Sequence, residues 1–260
     1  MTGHQARKRF GQHFLTSDEI IQQIVHAVSP RQDDTIVEIG PGQGAITTPL
    51  AQLATTLHAI EFDRDLVPRL IRRYADNDSV KIHEADALNF DFASLGDELR
   101  IVGNLPYNIS TPLLFHLLRF RDSIADMHFM LQKEVVDRMA AQPGNKTYGR
   151  LTIMLGCALE IVPLFDVPRE AFSPPPKVTS SVVRMRPIPQ PDFRIHDAAV
   201  FESLVKLAFS RRRKTLRNAL QGMAAVADIE AIGLDPTVRP EQVGIENWVA
   251  LANEISVGAS

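Results

Sequence analysis

A chain of 260 residues, 45% hydrophobic and 23% charged, is long enough to bury one large core with a small appendage and has the composition of a soluble globular protein. Its net charge of −3 excludes a general nucleic-acid coat protein but leaves room for a local basic groove, since phosphate binding depends on where charges sit. A single cysteine, Cys157, excludes an internal disulfide, and the eight histidines fall in no CxxC, HxxxH or HExxH spacing, so no metal site is expected. No run is long enough to span a bilayer, and a cytoplasmic protein is expected.

Residues 1–10 carry Arg7-Lys8-Arg9 with no apolar segment behind them, so no signal peptide is expected there. Thr16-Ser17-Asp18-Glu19 has the form of a capping box, with Thr16 as N-cap and Glu19 three residues on. Ile20, Ile21, Ile24, Val25 and Val28 then follow at helical spacing until Pro30 ends the helix. The segment before it, including His13 and Leu15, is a loop feeding that helix. His13 reads either as a ligand contact or as a polar surface residue, and the residue alone favours the surface.

From Thr35 strands and helices alternate. The strands are predicted at residues 35–39, 56–60, 80–83, 100–103 and 127–131, with helical stretches at 45–53 and 64–74. This alternation predicts an α/β, Rossmann-like fold, a parallel sheet with helices on both faces. Gly40-Pro41-Gly42-Gln43-Gly44 follows the first strand, where such a fold binds its nucleotide ligand. The spacing is G-x-G-x-G rather than G-x-G-x-x-G. Glu38 is an awkward neighbour for a pyrophosphate, and no Lys or Arg stands close in sequence. A ligand with ribose and adenine but no phosphates, S-adenosylmethionine, suits the loop better. Glu61, ending the second strand, can accept both ribose hydroxyls, and Asp86, after the third, can accept the adenine amino group. Each acid taken singly could instead cap a helix or face water.

Asn104-Leu105-Pro106-Tyr107 follows the fourth strand. The Asn104 side-chain oxygen and an outward Leu105 carbonyl could hold an exocyclic amine while Tyr107 stacks on its base. The other reading is a strand ending in a proline turn with Tyr107 packing, and four residues alone weigh the two evenly.

Residues 133–139 read as a helix and 142–149 as a mobile loop or a connector, the connector being favoured. Cys157 lies in an apolar run and reads as an inert buried thiol. Phe172-Ser173-Pro174-Pro175-Pro176-Lys177-Val178 either sets Phe172 as the second face of a base clamp or links rigidly to a final strand at 178–185. Pro187-Ile188-Pro189-Gln190-Pro191 marks a boundary between a catalytic domain, 1–190, and a small all-helical domain, 191–260. In the latter Phe201, Leu204, Val205, Ala208 and Phe209 form one apolar helical face, and Trp248, Leu251, Ala252 and Ile255 another. No acid falls between Ser203 and Ala227, whereas Lys206, Arg211, Arg212, Arg213, Lys214 and Arg217 do, on what reads as a basic helix. Such segregation points to phosphates, against the alternative of a solvated charged face.

With these residues assembled, the chain resembles the KsgA family of ribosomal RNA adenine N6-dimethyltransferases. The resemblance runs from Arg9-Phe10-Gly11-Gln12-His13-Phe14-Leu15 through Glu38-Ile39-Gly40-Pro41-Gly42, Glu61, Asp86, 104–107 and 172–178. It continues into Arg211-Arg212-Arg213-Lys214-Thr215-Leu216-Arg217-Asn218. It implies S-adenosylmethionine contacts at His13, Leu15, Gly40, Glu61, Asp86 and Asn104. It also implies dimethylation of two adjacent adenosines in the 3′-terminal hairpin of small-subunit ribosomal RNA, within a pre-assembled small subunit late in assembly. His13 departs from the Asn that many members carry. The oligomeric state is not fixed by any residue, a monomer being expected. The competing readings are a resistance-type adenine N6-methyltransferase of large-subunit ribosomal RNA and a largely non-catalytic ribosome-assembly factor. The proline and arginine segments count against the first, and the complete set of cofactor and amine-holding residues against the second.

Overall fold

A computed structural model of the chain describes residues 13–189 and 194–258. The motif residues 9–12 and the expected boundary at 190–191 lie outside the described residues. The strands are β1 (Phe14–Leu15), β2 (Thr35–Ile39), β3 (Thr56–Glu61), β4 (Val80–Glu84), β5 (Leu99–Asn104), β6 (Ile124–Gln132), β7 (Leu159–Val167), β8 (Phe172–Ser173) and β9 (Ser180–Pro187). The helices are α1 (Asp18–Val28), α2 (Thr47–Leu50), α3 (Val67–Arg73), α4 (Ser110–Leu117), α5 (Lys133–Met139), α6 (Arg150–Gly156), α7 (Ala198–Ser210), α8 (Leu216–Ala219), α9 (Val226–Ala231) and α10 (Ile245–Gly258).

A seven-stranded sheet in the order β4-β3-β2-β5-β6-β9-β7 organises the larger unit. The pairs β3–β4, β2–β3, β2–β5 and β5–β6 are parallel. Parallel strands are covered on both faces and so read as continuous apolar runs. Ile36, Val37, Leu57, Ile101, Phe129 and Leu131 are all 0% exposed. The order turns back at β2, which has β3 on one side and β5 on the other. The chain segments leaving β2 and β5 therefore part and leave a crevice at the strands' carboxyl ends. The strands come very close there: a Cβ on Gly103 would stand 2.6 Å from the Ile39 carbonyl oxygen. At the other end of β5, Arg100 pairs with Asp34 at 2.6 Å and Asp126 at 2.8 Å, and donates to Val28 O, which ends α1.

Four sequence expectations are corrected. The sheet is mixed, because β9 runs antiparallel to β6. Strand β7 escaped the sequence reading: Pro163 within it is tolerated only because β7 lies at the edge of the sheet. Helix α1 starts one residue later than expected, on Ser17, whose side chain accepts from Ile20 N. Thr16 is unavailable as the cap because its N–H and hydroxyl both donate to Ala171 O. Helix α2 is short because a helix over 45–53 would place Pro49 in its interior, where it lacks the N–H and crowds the preceding turn.

The chain divides into two compact units, Met1–Val136 with Ile161–Pro187, and Asp137–Glu160 with Ile188–Ser260. Residues 137–160, read from sequence as part of the first domain, thus fold with the C-terminal helices. Tyr148 is 0% exposed and donates to Val243 O at 2.8 Å, and Gly156 lies so near Ile245 that a Cβ would meet it at 2.7 Å. Phe201, Leu204, Val205, Ala208, Trp248, Leu251 and Ala252 of the two expected apolar faces are buried in this unit, and Phe209 and Ile255 are half-buried. Cys157 is buried too, its thiol against Met154 O. No helix among the described residues is long and apolar enough to cross a membrane.

The contact at Gly103 yields a test. A methyl group there meets fixed backbone, so Gly103→Ala should lose about 1–3 kcal/mol in urea denaturation. An unchanged midpoint would show that β2 and β5 can move apart freely.

Candidate active site

A cavity opens at the carboxyl ends of β2, β3 and β5. Its lining includes His13, Leu15, Glu38, Gly40, Gly42, Glu61 and residues 104–107. The structure thus brings together residues far apart in sequence, because parallel strands deliver their following loops to one edge.

The glycine turn forms one wall. Gly40, Gly42 and Gly44 have φ of 69°, 58° and 81°, a region that favours glycine. At Gly42 a side chain would also meet the Phe14 ring at 3.2 Å. Gly42 N–H donates to Glu61 Oε2 at 3.1 Å and Asp63 N–H to Glu61 Oε1 at 2.8 Å. Glu61 is 7% exposed, and burial raises its pKa despite those donors. Glu38 lies deeper, 2% exposed, and its Oε2 and the Thr47 hydroxyl are both buried without a hydrogen bond of good geometry. Burial pushes the Glu38 carboxyl up to about 7; the nearby Thr47 hydroxyl opposes the rise and the Glu61 charge adds to it. Two buried carboxyls beside a glycine turn suit a ligand bearing hydroxyl groups and positive charge. They do not suit phosphates.

The opposite wall follows β5. Asn104 Nδ2 donates to the His13 backbone carbonyl at 3.0 Å, which leaves Oδ1 as the acceptor for a ligand. Leu105 is anchored by its N–H on Met130 O. Tyr107 is half-buried, its hydroxyl 3.0 Å from Ser180 Oγ and its ring 6.0 Å from the His13 ring. The His13 ring in turn contacts Pro174 O through Nδ1 at 2.7 Å. Strand β1 is held against β8 with Leu15 opposite Phe172. The N-terminal segment therefore ties the 104–107 turn to the proline-rich segment.

Asp86 and Phe172 stand apart from the cavity lining. Asp86 is half-buried at a turn, its carboxylate accepting from Leu88 N–H and the Asn89 side chain. Phe172 is 4% exposed and packs in the core around Leu15, Ile24 and Val182, since its place opposite Leu15 turns it inward. Sequence reasoning passed over Glu38 as a site residue, although its place two residues before the glycines was noted. It also missed Arg73, which reaches Gln43 O from 30 residues away, a contact without a local signal.

In the second unit, the expected basic helix is broken: Lys206 lies in α7 and Arg217 in α8, and Arg211 to Lys214 form the turn between them. Helix α7 ends at Ser210, and Lys214 N–H closes a turn on Arg211 O before α8 begins. Arg211, Arg212, Arg213, Lys214 and Asn218 line one surface concavity. Arg211 also donates to Ala219 O, and Arg212 to Asn145 O and toward Glu241, so both help hold the fold. Lys206, Arg213, Lys214 and Arg217 are exposed.

Residues 3–256 match the family model described as "Ribosomal RNA adenine dimethylase". The chain is 52% identical to "Ribosomal RNA small subunit methyltransferase A" of Dechloromonas aromatica, over 98% of this chain and 100% of that protein. A dimethyladenosine transferase from Plasmodium falciparum superposes with a TM-score of 0.83 at 26% identity, covering 95% of this chain and 98% of the other. The 23S rRNA methyltransferase ErmE shares the fold, with a TM-score of 0.70 at 24% identity over 94% and 99% of the two chains.

Glu38 makes stability depend on pH. The folded state holds its proton up to about pH 7, whereas the unfolded chain releases it near 4.5. The burial penalty therefore grows as pH rises from 4.5 and levels off above 7, reaching on the order of 3 kcal/mol. In urea denaturation Glu38→Gln should match the native chain at pH 4 and exceed it at pH 8. Parallel stability profiles for the two proteins would contradict the assignment.

Proposed function

The chain belongs to the ribosomal RNA adenine dimethylase family, and from that premise we propose that it dimethylates N6 of two adjacent adenosines in the 3′-terminal hairpin of small-subunit ribosomal RNA. The RNA is presented within a pre-assembled small subunit, in the cytoplasm, and the enzyme acts as a monomer. The observation that carries this reading is the Asn104 amide, oriented by the His13 carbonyl so that an acceptor is left beside the glycine turn and Glu61.

S-adenosylmethionine supplies an electrophilic methyl group on a positively charged sulfur. The residues present fit it: Glu61 would receive the ribose hydroxyls, Gly40, Leu15 and His13 would border its place, and a bound cation beside Glu38 would favour ionisation of that buried carboxyl. Asp86 lies outside the cavity lining, half-buried, with its carboxylate engaged by its own turn. In this reading, contact with the adenine amino group requires those local bonds to be exchanged.

The adenine amine is a poor nucleophile because its lone pair is delocalised into the ring. In this reading the Asn104 side-chain oxygen and the Leu105 carbonyl accept its two N–H bonds and turn the lone pair toward the methyl group. Tyr107 stacks on the flipped base, its ring steadied by the hydroxyl's contact with Ser180. Phe172 supports β1 from the core, opposite Leu15. The nitrogen becomes acidic only as its bond to carbon forms, so no general base has to act first. Lys206, Arg211, Arg212, Arg213, Lys214 and Arg217 meet RNA phosphates.

Labelled methyl transfer to unmethylated small subunits, with mapping of the modified nucleotides, tests the substrate. Label on adjacent adenosines of the small subunit is expected, and label on large subunits alone would transfer the reading to the resistance-type activity. Asn104→Ala should lower turnover by about 10²–10³-fold, the scale for one preorganised polar group, with cofactor affinity changing far less. Native-like turnover would remove Asn104 from its role. For RNA binding, the pair Arg213→Ala and Lys214→Ala is preferable to the whole arginine run, since Arg211 and Arg212 also hold the fold. This double variant should flatten the slope of log affinity against log salt by about 1.5–2. An unaltered slope would mean these cations do not meet phosphate.

A further inference from the structure

The glycine turn is held from outside the cavity as well as from within. Arg73, the last residue of α3, donates through Nη1 to Gln43 O at 2.6 Å. Beside it, Thr48 Oγ1 lies 2.9 Å from Gly44 O, to which it donates, and 2.8 Å from the Tyr74 hydroxyl. A hydroxyl has one proton to give, so Tyr74 is the donor to Thr48. The Arg73 guanidinium carbon stands 5.8 Å from the centre of the Tyr74 ring. Two successive carbonyls of the turn, Gln43 O and Gly44 O, are thereby fixed by groups that converge from α2 and from the end of α3.

Gly44 shows how close this packing is. A Cβ there would stand 2.8 Å from Tyr74 Oη and 3.2 Å from Arg73 Nη1, so the third glycine makes room for both side chains. The support also replaces something missing. In nucleotide-binding sheets a long first helix usually stiffens the glycine turn, whereas α2 spans only Thr47–Leu50 and has no side-chain cap. Neither Arg73 nor Tyr74 belongs to the cavity lining.

We infer that Arg73 and Tyr74 are positioning residues for the cofactor, clamping residues 43–44 from behind so that Gly42 N–H stays on Glu61 and the turn keeps the shape that receives the ligand. This rests on the S-adenosylmethionine reading given above. Arg73 acts through the backbone it holds. Losing the clamp lets the turn relax, and because Gly42 is bonded to Glu61, the ribose-binding carboxylate relaxes with it.

Isothermal titration of the full chain with S-adenosylhomocysteine tests this directly. Arg73→Ala should weaken binding by roughly threefold to tenfold, the scale of one lost hydrogen bond, and Arg73→Lys should recover most of it. Tyr74→Phe, which deletes one hydroxyl, should weaken it in the same direction. In turnover assays Arg73→Ala should raise the KM for the methyl donor at unchanged kcat. 5′-Methylthioadenosine, which lacks the amino-acid carboxylate, should lose affinity by the same factor. A loss confined to S-adenosylhomocysteine would mean that Arg73 contacts the carboxylate itself, which overturns the clamp. Affinities equal to the native chain's in both the Arg73→Ala and Tyr74→Phe variants would also overturn it. Failure of the native chain to bind S-adenosylhomocysteine would remove the cofactor reading, and the inference with it.

Discussion

The close approach of β2 and β5 at Gly103 sets the geometry on which the site depends. With no side chain between Gly103 and the Ile39 carbonyl, the two strands end side by side, and the loops that follow them start almost in contact. A Cβ on Gly40 would lie only 3.9 Å from Asn104 O. One loop carries the glycine turn and the other the Asn104 amide, and both line the same cavity. Methyl transfer needs its two partners within bonding reach of one another, and a pair of parallel strands in van der Waals contact delivers that before either partner binds.

Around this pair the protein spends little on the catalytic groups themselves and much on their orientation. Strand β5 is fixed at its beginning by the Arg100 cluster and carries Asn104 at its end. The short strand β1, paired with β8, lines the cavity and joins the 104–107 turn to the proline-rich segment through His13. Glu38 is the opposite case, a buried carboxyl left with one oxygen unsatisfied, which costs stability in the free protein. Such a group is out of place in a core but reasonable where a cation is to be received.

Much of this was legible in the chain. The alternation of β-rich runs with helical spacing gave the central parallel strands, and the strand-end positions of the glycines, Glu61 and Asn104 located the crevice. What sequence could not supply was direction and depth. Asp86 satisfies its own turn, and Phe172 faces inward because β8 sets it opposite Leu15; neither orientation follows from residue type. The same holds for Arg211 and Arg212, which look like free cations in the sequence yet are partly committed to backbone carbonyls. Pro163 hid β7, since a proline argues against a strand unless its edge position is known. Long-range partners such as Arg73 and Gln43 leave no periodic trace at all.

The hydrogen bond that orients Asn104 ends on a main-chain oxygen. Every residue type carries that oxygen in the same place, so the amide is aimed whatever side chain occupies position 13. The His13 ring adds a separate contact, to Pro174 O, and leaves the main-chain oxygen that aims Asn104 untouched. A substitution at position 13 would remove the ring's contact to Pro174 and keep the carbonyl that orients Asn104.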